Sequence, residues 1–269
     1  MPGPDPHLLH MLLARIDAAL EVQHEGLLVV GLCGAQGSGK STLAAALVVA
    51  LEANGLPAAA LSLDDLYLTR AERQHLARRI HPLLSTRGVP GTHDVALGLQ
   101  TIAALERGEA AALPRFDKGL DNRAAQADWP QAPPQCRVLL LEGWCVGAVP
   151  QATAALAAPI NDLEQREDPQ GIWRAYANAA LAGPYRALFD RIDLLILLAT
   201  PNWEVVAQWR EEQELPLRRA GAPQAMDPAE LSRFVQHYER LTRWILEEMP
   251  QRADVVVRLD RQRGVAAGP

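Results

Sequence analysis

Two hydrophobic periods alternate along this chain. Apolar residues at 9, 12, 13, 16, 19 and 20 recur at helical spacing, whereas Leu27–Cys33 is an apolar run of strand length. A helical stretch over 42–51 stops at Asn54-Gly55-Leu56-Pro57, and a second apolar strand over 58–63 ends in Asp64-Asp65. The pattern then predicts a polar helix over 71–80, a loop over 85–92, and a helix to about Arg107 with Thr92 as its cap. Residues 113–134 show no period and are rich in charge and proline. Beyond them come a strand over 137–141 running into Glu142, a helix over about 170–182, and a strand over 192–198 broken only by Asp193. Helices over about 202–214 and 228–248 precede a last strand over 253–259, and 261–269 reads as a loose tail.

Strands separated by helices imply right-handed crossovers and an α/β fold, a mostly parallel five-stranded sheet flanked by helices. Such sheets bind ligands at the carboxyl ends of their strands. The polar breaks at 34–41, 64–65, 142–144 and 200–202 all fall at that edge. The expectation is a single domain over 1–269, with helical lid or insert elements at about 150–190 and 203–222.

The first break carries the most chemistry. Gly34-Ala35-Gln36-Gly37-Ser38-Gly39-Lys40-Ser41 fits Gly-x-x-x-x-Gly-Lys-[Ser/Thr] and lies between a strand and a helix opening at Thr42. There, backbone N–H groups and the helix dipole converge on an anion, and the glycines let the backbone approach it. The fold expected is therefore that of a P-loop NTPase, with Gly34 through Thr42 holding nucleotide phosphates and Lys40 bridging the β- and γ-phosphates. Lysine usage agrees. Of 26 Lys and Arg residues only Lys40 and Lys118 are lysine, and a compact ammonium is kept where a guanidinium fits poorly. No Asn-Lys-x-Asp guanine-reading segment is present, which argues against a GTPase.

Composition narrows the partners. No apolar run approaches the roughly 20 residues of a membrane span, so no membrane partner is expected, and a net charge of −6 argues against nucleic acid. Met1-Pro-Gly-Pro-Asp-Pro lacks the features of a secretory signal, so a cytoplasmic location is expected. Cys33, Cys136 and Cys145 have no zinc spacing and read as packed thiols. An acidic protein that binds ATP must gather positive charge locally. Arg78, Arg79, Arg87, Arg115, Lys118, Arg123, Arg210, Arg218 and Arg219 are the candidates.

Asp64 and Asp65 could be a metal-binding pair or include a base that takes the proton of an acceptor hydroxyl. The base reading for Asp64 is favoured because Glu142 ends another strand and can supply the metal carboxylate, with Ser41 and Glu142 together holding Mg²⁺. Arg87-Gly-Val-Pro-Gly-Thr-His-Asp94 places a His and an Asp at a helix N-terminus, and Lys118 lies in the long irregular segment.

Taken together, Gly34–Ser41, Leu61-Ser-Leu-Asp-Asp-Leu-Tyr67, Arg87–Asp94, Pro114-Arg-Phe-Asp-Lys118 and Leu141-Glu-Gly-Trp144 resemble the plant- and fungal-type D-glycerate 3-kinases and their bacterial relatives. These belong with the phosphoribulokinases, uridine kinases and pantothenate kinases. The resemblance is strong over about 30–145 and looser at Trp203–Glu214 and Phe234–Tyr238. It implies a Mg²⁺-dependent kinase moving the ATP γ-phosphoryl to a small hydroxylated metabolite. D-glycerate is the leading acceptor; uridine, pantothenate or a sugar phosphate are alternatives, and an acceptor-less nucleotide switch or chaperone ATPase is the rival class. On this resemblance Asp64 is the base and Arg210 a lid arginine closing on the phosphates. Asp65, Tyr67, Arg87, His93, Asp94, Arg115, Lys118 and Arg123 would face an anionic hydroxy acid. In one departure, Gly119-Leu-Asp-Asn-Arg123 stands where the resembling sequences are glycine-rich.

Overall fold

The computed structural model describes residues 3–23, 25–220 and 225–266. The chain opens with α1 (Pro6–Gln23), which buries Leu8, Leu12 and Ile16, and enters β1 (Leu28–Gly34), buried at every position. Helix α2 (Lys40–Ala53) starts directly at the glycine loop and leads to β2 (Ala58–Ser62). Two helices follow, α3 (Arg70–Arg79) and α4 (Val95–Glu106), and then a small antiparallel hairpin, β3 (Phe116–Asp117) with β4 (Asn122–Arg123). Strand β5 (Val138–Gly143) precedes three helices, α5 (Asp162–Glu167), α6 (Ile172–Ala182) and α7 (Pro184–Phe189). Strand β6 (Leu194–Ala199), helices α8 (Trp203–Arg219) and α9 (Pro228–Glu248), and strand β7 (Val255–Arg258) complete the order.

The main sheet has five strands in the order β2-β5-β1-β6-β7, every pair parallel. Parallel strands covered on both faces read as continuous apolar runs rather than as alternation. This explains why β1 and β5 were legible as strands at all. The chain passes from β1 over β5 to β2 and later returns on the other side of β1, so the strand order reverses at β1 and opens a crevice at its carboxyl end. Leu43, Leu47 and Leu51 of α2 and Leu12 of α1 cover one face; Ile102, Leu188 and Val235 cover the other.

Several expectations need correction. Asp94, not Thr92, caps α4: its Oδ1 accepts from Leu97 N at 3.0 Å. The Thr92 hydroxyl is already used inside the loop, donating to Val89 O (2.8 Å) and accepting from Gly88 N (3.0 Å). The helix expected to end near 214 continues to Arg219 despite Pro216, and the short α5 and α7 carry too few turns to show a period. The unpatterned 113–134 segment contains the hairpin. Within the 150–190 stretch expected to hold lid or insert elements, α6 and α7 pack on each other, α7 on α4 and α5 on α9. Residues 221–222 lie outside the described residues.

The tail is not loose where it is described. The Asp260 carboxylate accepts from Gln262 N and Gly264 N, each at 2.8 Å, and Arg263 Nε donates to Gly37 O at 2.9 Å. Residues 267–269 lie outside the described residues. Trp209 on α8, 0% exposed, joins these parts: its Nε1 donates to Arg261 O at 2.9 Å and the Arg263 guanidinium lies 4.9 Å from its ring. A Cβ on Gly37 would sit 2.8 Å from the Trp209 Cβ. The glycine loop is therefore moulded on this indole. Trp209→Ala should lower the unfolding free energy by about 3–5 kcal/mol, the usual cost of emptying a buried aromatic site. Urea denaturation checks this, and a loss below about 1 kcal/mol, the scale of a surface change, would show that the loop rests on other contacts.

Candidate active site

The glycine loop bridges Gly34 and Lys40 at the carboxyl end of the central strand. Gly37 and Gly39 are left-handed, with φ of +82° and +84°, a region that residues with a Cβ avoid. Gly34 is extended but has no room for a Cβ, which would meet Ser38 Oγ at 2.7 Å. Gly39 caps α2 without any side-chain hydrogen bond, so the first-turn N–H groups remain free for an anion.

Strand β2 runs into a tight turn over Leu63–Leu66, held by Ser62 Oγ accepting from Asp64 N at 3.3 Å. The turn points its two carboxylates to different tasks. Asp64 Oδ1 accepts from Tyr67 OH and Oδ2 from Lys118 Nζ, both at 2.7 Å. Burial pushes the Asp64 carboxyl up, but Lys118 and Lys40 beside it and the two hydrogen bonds outweigh burial and bring it to about 2. Asp65 accepts from Phe116 N (3.0 Å) and Arg115 Nη1 (2.9 Å), and burial raises its carboxyl overall. Tyr67 stacks on His93 at 4.6 Å between centroids, and His93 Nδ1 meets Tyr185 OH at 2.5 Å. Burial holds the His93 imidazole down at about 3, so it is neutral and acts as a rigid backing for Tyr67.

Glu142 ends β5, in register with Ser62 on one side and Leu32 on the other. Ser41 Oγ donates to Glu142 Oε1 at 2.9 Å, while Oε2, on a residue 5% exposed, has no hydrogen-bond partner among the described residues. A buried carboxylate oxygen without a donor is costly unless a cation uses it. A hydroxyl beside one such carboxylate is the sparse donor set that suits Mg²⁺, which keeps waters and phosphate oxygens for its other positions. Among the described residues no three His, Cys, Asp or Glu side chains cluster as a metal site.

One cleft unites these groups. Gln36, Gly37, Gly39, Lys40, Ser41 and Thr42 form its floor, and Asp64, Tyr67, Arg87, Lys118 and Arg210 stand around it. Ala35 and Ser38 are buried behind the floor. Asp65, His93, Asp94, Arg115 and Arg123 do not line it. Asp65 and Arg115 pair with each other, and so do Asp94 and Arg123 at 2.9 Å, which fastens both ends of the hairpin to the rim. Arg210 pairs with Glu214 at 2.8 Å and lies 5.7 Å from the Phe234 ring. Gln213, Phe234 and Tyr238 also line the cleft, and Arg73 and Asp121 stand behind Arg87. None of these five is among the site residues expected from the sequence, although Phe234 and Tyr238 bound one segment of the looser resemblance and Gln213 lies within another. Phe234 and Tyr238 are four apart on α9, so an aromatic i,i+4 pair was the available signal.

A strand, a glycine loop, a helix N-terminus and carboxylates ending the two strands beyond are the equipment of a P-loop kinase. Comparisons with known proteins agree. An uncharacterized kinase, mug58 of Schizosaccharomyces pombe, is 34% identical over 220 residues, covering 78% of each chain. The chloroplastic D-glycerate 3-kinase of Arabidopsis thaliana is 32% identical over 222 residues, 78% of this chain but only 46% of that longer protein. Among solved structures, D-glycerate 3-kinase of Cryptococcus neoformans superposes with a TM-score of 0.80 at 23% identity, covering 98% of this chain and 99% of that one. The YGR205w protein superposes with a TM-score of 0.74 at 21% identity, covering 97% and 95%. No family model matches the chain. The chain belongs to the family of small-molecule P-loop kinases that contains mug58 and D-glycerate 3-kinase. It is an enzyme that phosphorylates a hydroxyl acceptor. No described helix is long and apolar enough to cross a membrane.

The Asp64 environment predicts a pH dependence. In the folded chain its carboxyl titrates near 2, against an ordinary value of 3.8, so it contributes stability above 3.8 that is lost as pH falls through about 2. Wild type should therefore lose more melting temperature than Asp64→Asn between about pH 4 and about pH 2. Thermal melts of both proteins across that window check it, and equal losses would show that Lys118 and Tyr67 do not hold the carboxylate.

Proposed function

We propose that the protein transfers the γ-phosphoryl of ATP to D-glycerate, giving 3-phosphoglycerate. The observation that carries this reading is the single cleft wall on which Lys40 and the loop amides face Asp64, with Arg87 and Lys118 beside them. A kinase acting on a neutral alcohol needs no such cations at its acceptor end, whereas a hydroxy acid does. Similarity to two D-glycerate 3-kinases supports the same acceptor.

In this reading Lys40 and the N–H groups of 37–42 bind the phosphates, and Arg210 on α8, read as the lid, closes over them. Ser41 and Glu142 would hold Mg²⁺, which when bound neutralises charge on phosphate oxygens. Asp64 accepts a hydrogen bond from the acceptor hydroxyl, orients it for in-line attack and takes its proton as the new bond forms. Tyr67, backed by His93, fixes the Asp64 carboxylate. Asp65 serves by holding Arg115 and the Phe116 amide, and so the hairpin that carries Lys118.

Phosphorylation should be read as acceptor-dependent ADP release with D-glycerate, L-glycerate, uridine, pantothenate and ribulose 5-phosphate. Stimulation by D-glycerate above the others is expected. Stimulation by uridine instead would reassign the acceptor, and hydrolysis indifferent to all five would favour a nucleotide switch. Asp64→Asn should bind ATP normally and lose roughly 10²- to 10⁴-fold in kcat, the range of a positioned base. Asp65→Asn should mainly raise the acceptor KM by loosening the hairpin. The reverse ranking in kcat would show that Asp65 is the base.

A further inference from the structure

Arg73 is a buried cation in an unusual position. It is 1% exposed, and its only carboxylate partner among the described residues is Asp121, at 2.5 Å from Nη2. Nη1 makes one long bond to Leu68 O at 3.3 Å, and Nε has no hydrogen-bond partner among the described residues. A buried guanidinium left without an anion is strongly destabilising. Here the anion comes not from the core but from the tip of a small hairpin. The other Asp121 oxygen pairs with Arg87 Nη1, so one carboxylate is clasped by two guanidiniums. The Phe116 ring centroid lies 5.8 Å from one guanidinium carbon and 5.7 Å from the other, so both cations lie against the same aromatic ring.

The place Asp121 occupies opens outward. Its side chain is 33% exposed, and Arg87 lines the same cleft as Asp64. Asp121 also adopts φ +52°, a backbone region that costs a non-glycine residue and suits glycine. Asp is one of the few side chains that adopt this region readily, so the turn can carry a carboxylate there. Three residues earlier on the same hairpin, Lys118 donates to Asp64 Oδ2. The hairpin therefore presents a hydrogen-bond donor to the carboxylate proposed as the base and a carboxylate to an arginine pair. Those are the two ends of a hydroxy acid.

We propose that Arg73 and Arg87 form the subsite for the acceptor's carboxylate, and that Asp121 fills this subsite, with Lys118 on Asp64, until the acceptor takes both places. The inference rests on the reading of the cleft as a hydroxy-acid kinase site. It makes Arg73 and Arg87 the residues that select an anionic acceptor, and it makes Asp121 an internal competitor.

The test is steady-state kinetics of the full chain and of Asp121→Asn, Asp121→Ala and Asp121→Glu. Removing a competitor raises the fraction of open subsites, so the D-glycerate KM should fall roughly 3- to 10-fold in the Asn and Ala variants, the weight of a partly exposed ion pair. The Glu variant should stay near wild type. The ATP KM should not move, and neither should the KM of glycerol, which has hydroxyls but no carboxylate. With Arg87→Met in the background the gain should vanish. An unchanged or raised D-glycerate KM in both neutral variants, or an equal fall for glycerol, overturns the proposal. Should no acceptor be phosphorylated, calorimetric binding of D-glycerate and propionate decides. Tighter binding of both to Asp121→Asn keeps the subsite and rejects the glycerate reading, and no tightening rejects the subsite.

Discussion

On the proposed reading, an acidic protein holds a nucleoside triphosphate and a second anion, which poses a charge problem at one edge of its sheet. In the free chain the cations there are matched in pairs: Arg87 with Asp121, Arg115 with Asp65, Lys118 with Asp64, Arg123 with Asp94 and Arg210 with Glu214. Among the described residues Lys40 has no such carboxylate within ion-pair distance. Its ammonium and the uncapped N–H groups of α2 remain open for phosphates, and the other positive charge is held against carboxylates on the turn after β2, the α4 cap, the hairpin tip and α8. This pairing fixes the shape of the cleft as much as its potential. Four of the five pairs hold the 115–123 segment to the turn after β2, to the loop before α4 and to Arg87, so this wall of the cleft is fastened by charge around the buried Phe116.

The nucleotide side is built on the opposite principle. Gly37 rests on a fully buried indole, and the turn after β7 reaches back through Arg263 to the Gly37 carbonyl. Apolar packing under a phosphate loop costs nothing in phosphate affinity, because the loop binds through its own backbone and needs only to be kept in shape. Placing Trp209 on α8, one residue before Arg210, also ties the position of a cleft arginine to the support of the loop. A shift of α8 would be felt at both.

What could be read from the chain follows the range of each interaction. The parallel strands, the glycine loop and the carboxylates ending β2 and β5 are signals carried within a few residues, and all were legible. Thr92 has the right side chain in the right region for the α4 cap; only the folded loop shows its hydroxyl already satisfied and Asp94 two residues nearer the helix. The tail looked loose because Asp260, Gln262 and Gly264 form a turn whose value depends on Gly37 and Trp209, more than fifty residues distant. Arg73 looked like one charge among several on a polar helix. Its burial depends on Asp121, 48 positions away, and no local pattern reports a pairing at that separation.

A carboxylate held near 2 is a weak base, and at first sight this sits badly with the role proposed for Asp64. Two considerations reconcile them. In phosphoryl transfer with a loose transition state the hydroxyl keeps its proton until late, so orientation of the attacking oxygen matters more than ground-state basicity. More directly, the lysine that most opposes burial here is Lys118, which comes from the same hairpin as Asp121. On the proposed reading, an acceptor that takes Lys118's place on Asp64 would withdraw that cation as it supplies the hydroxyl, leaving burial opposed by Lys40 and Tyr67 alone and so shifting the carboxyl upward. The hairpin would keep the carboxylate ionised and quiet in the free enzyme and release it to a stronger state only when the group it must deprotonate is already against it.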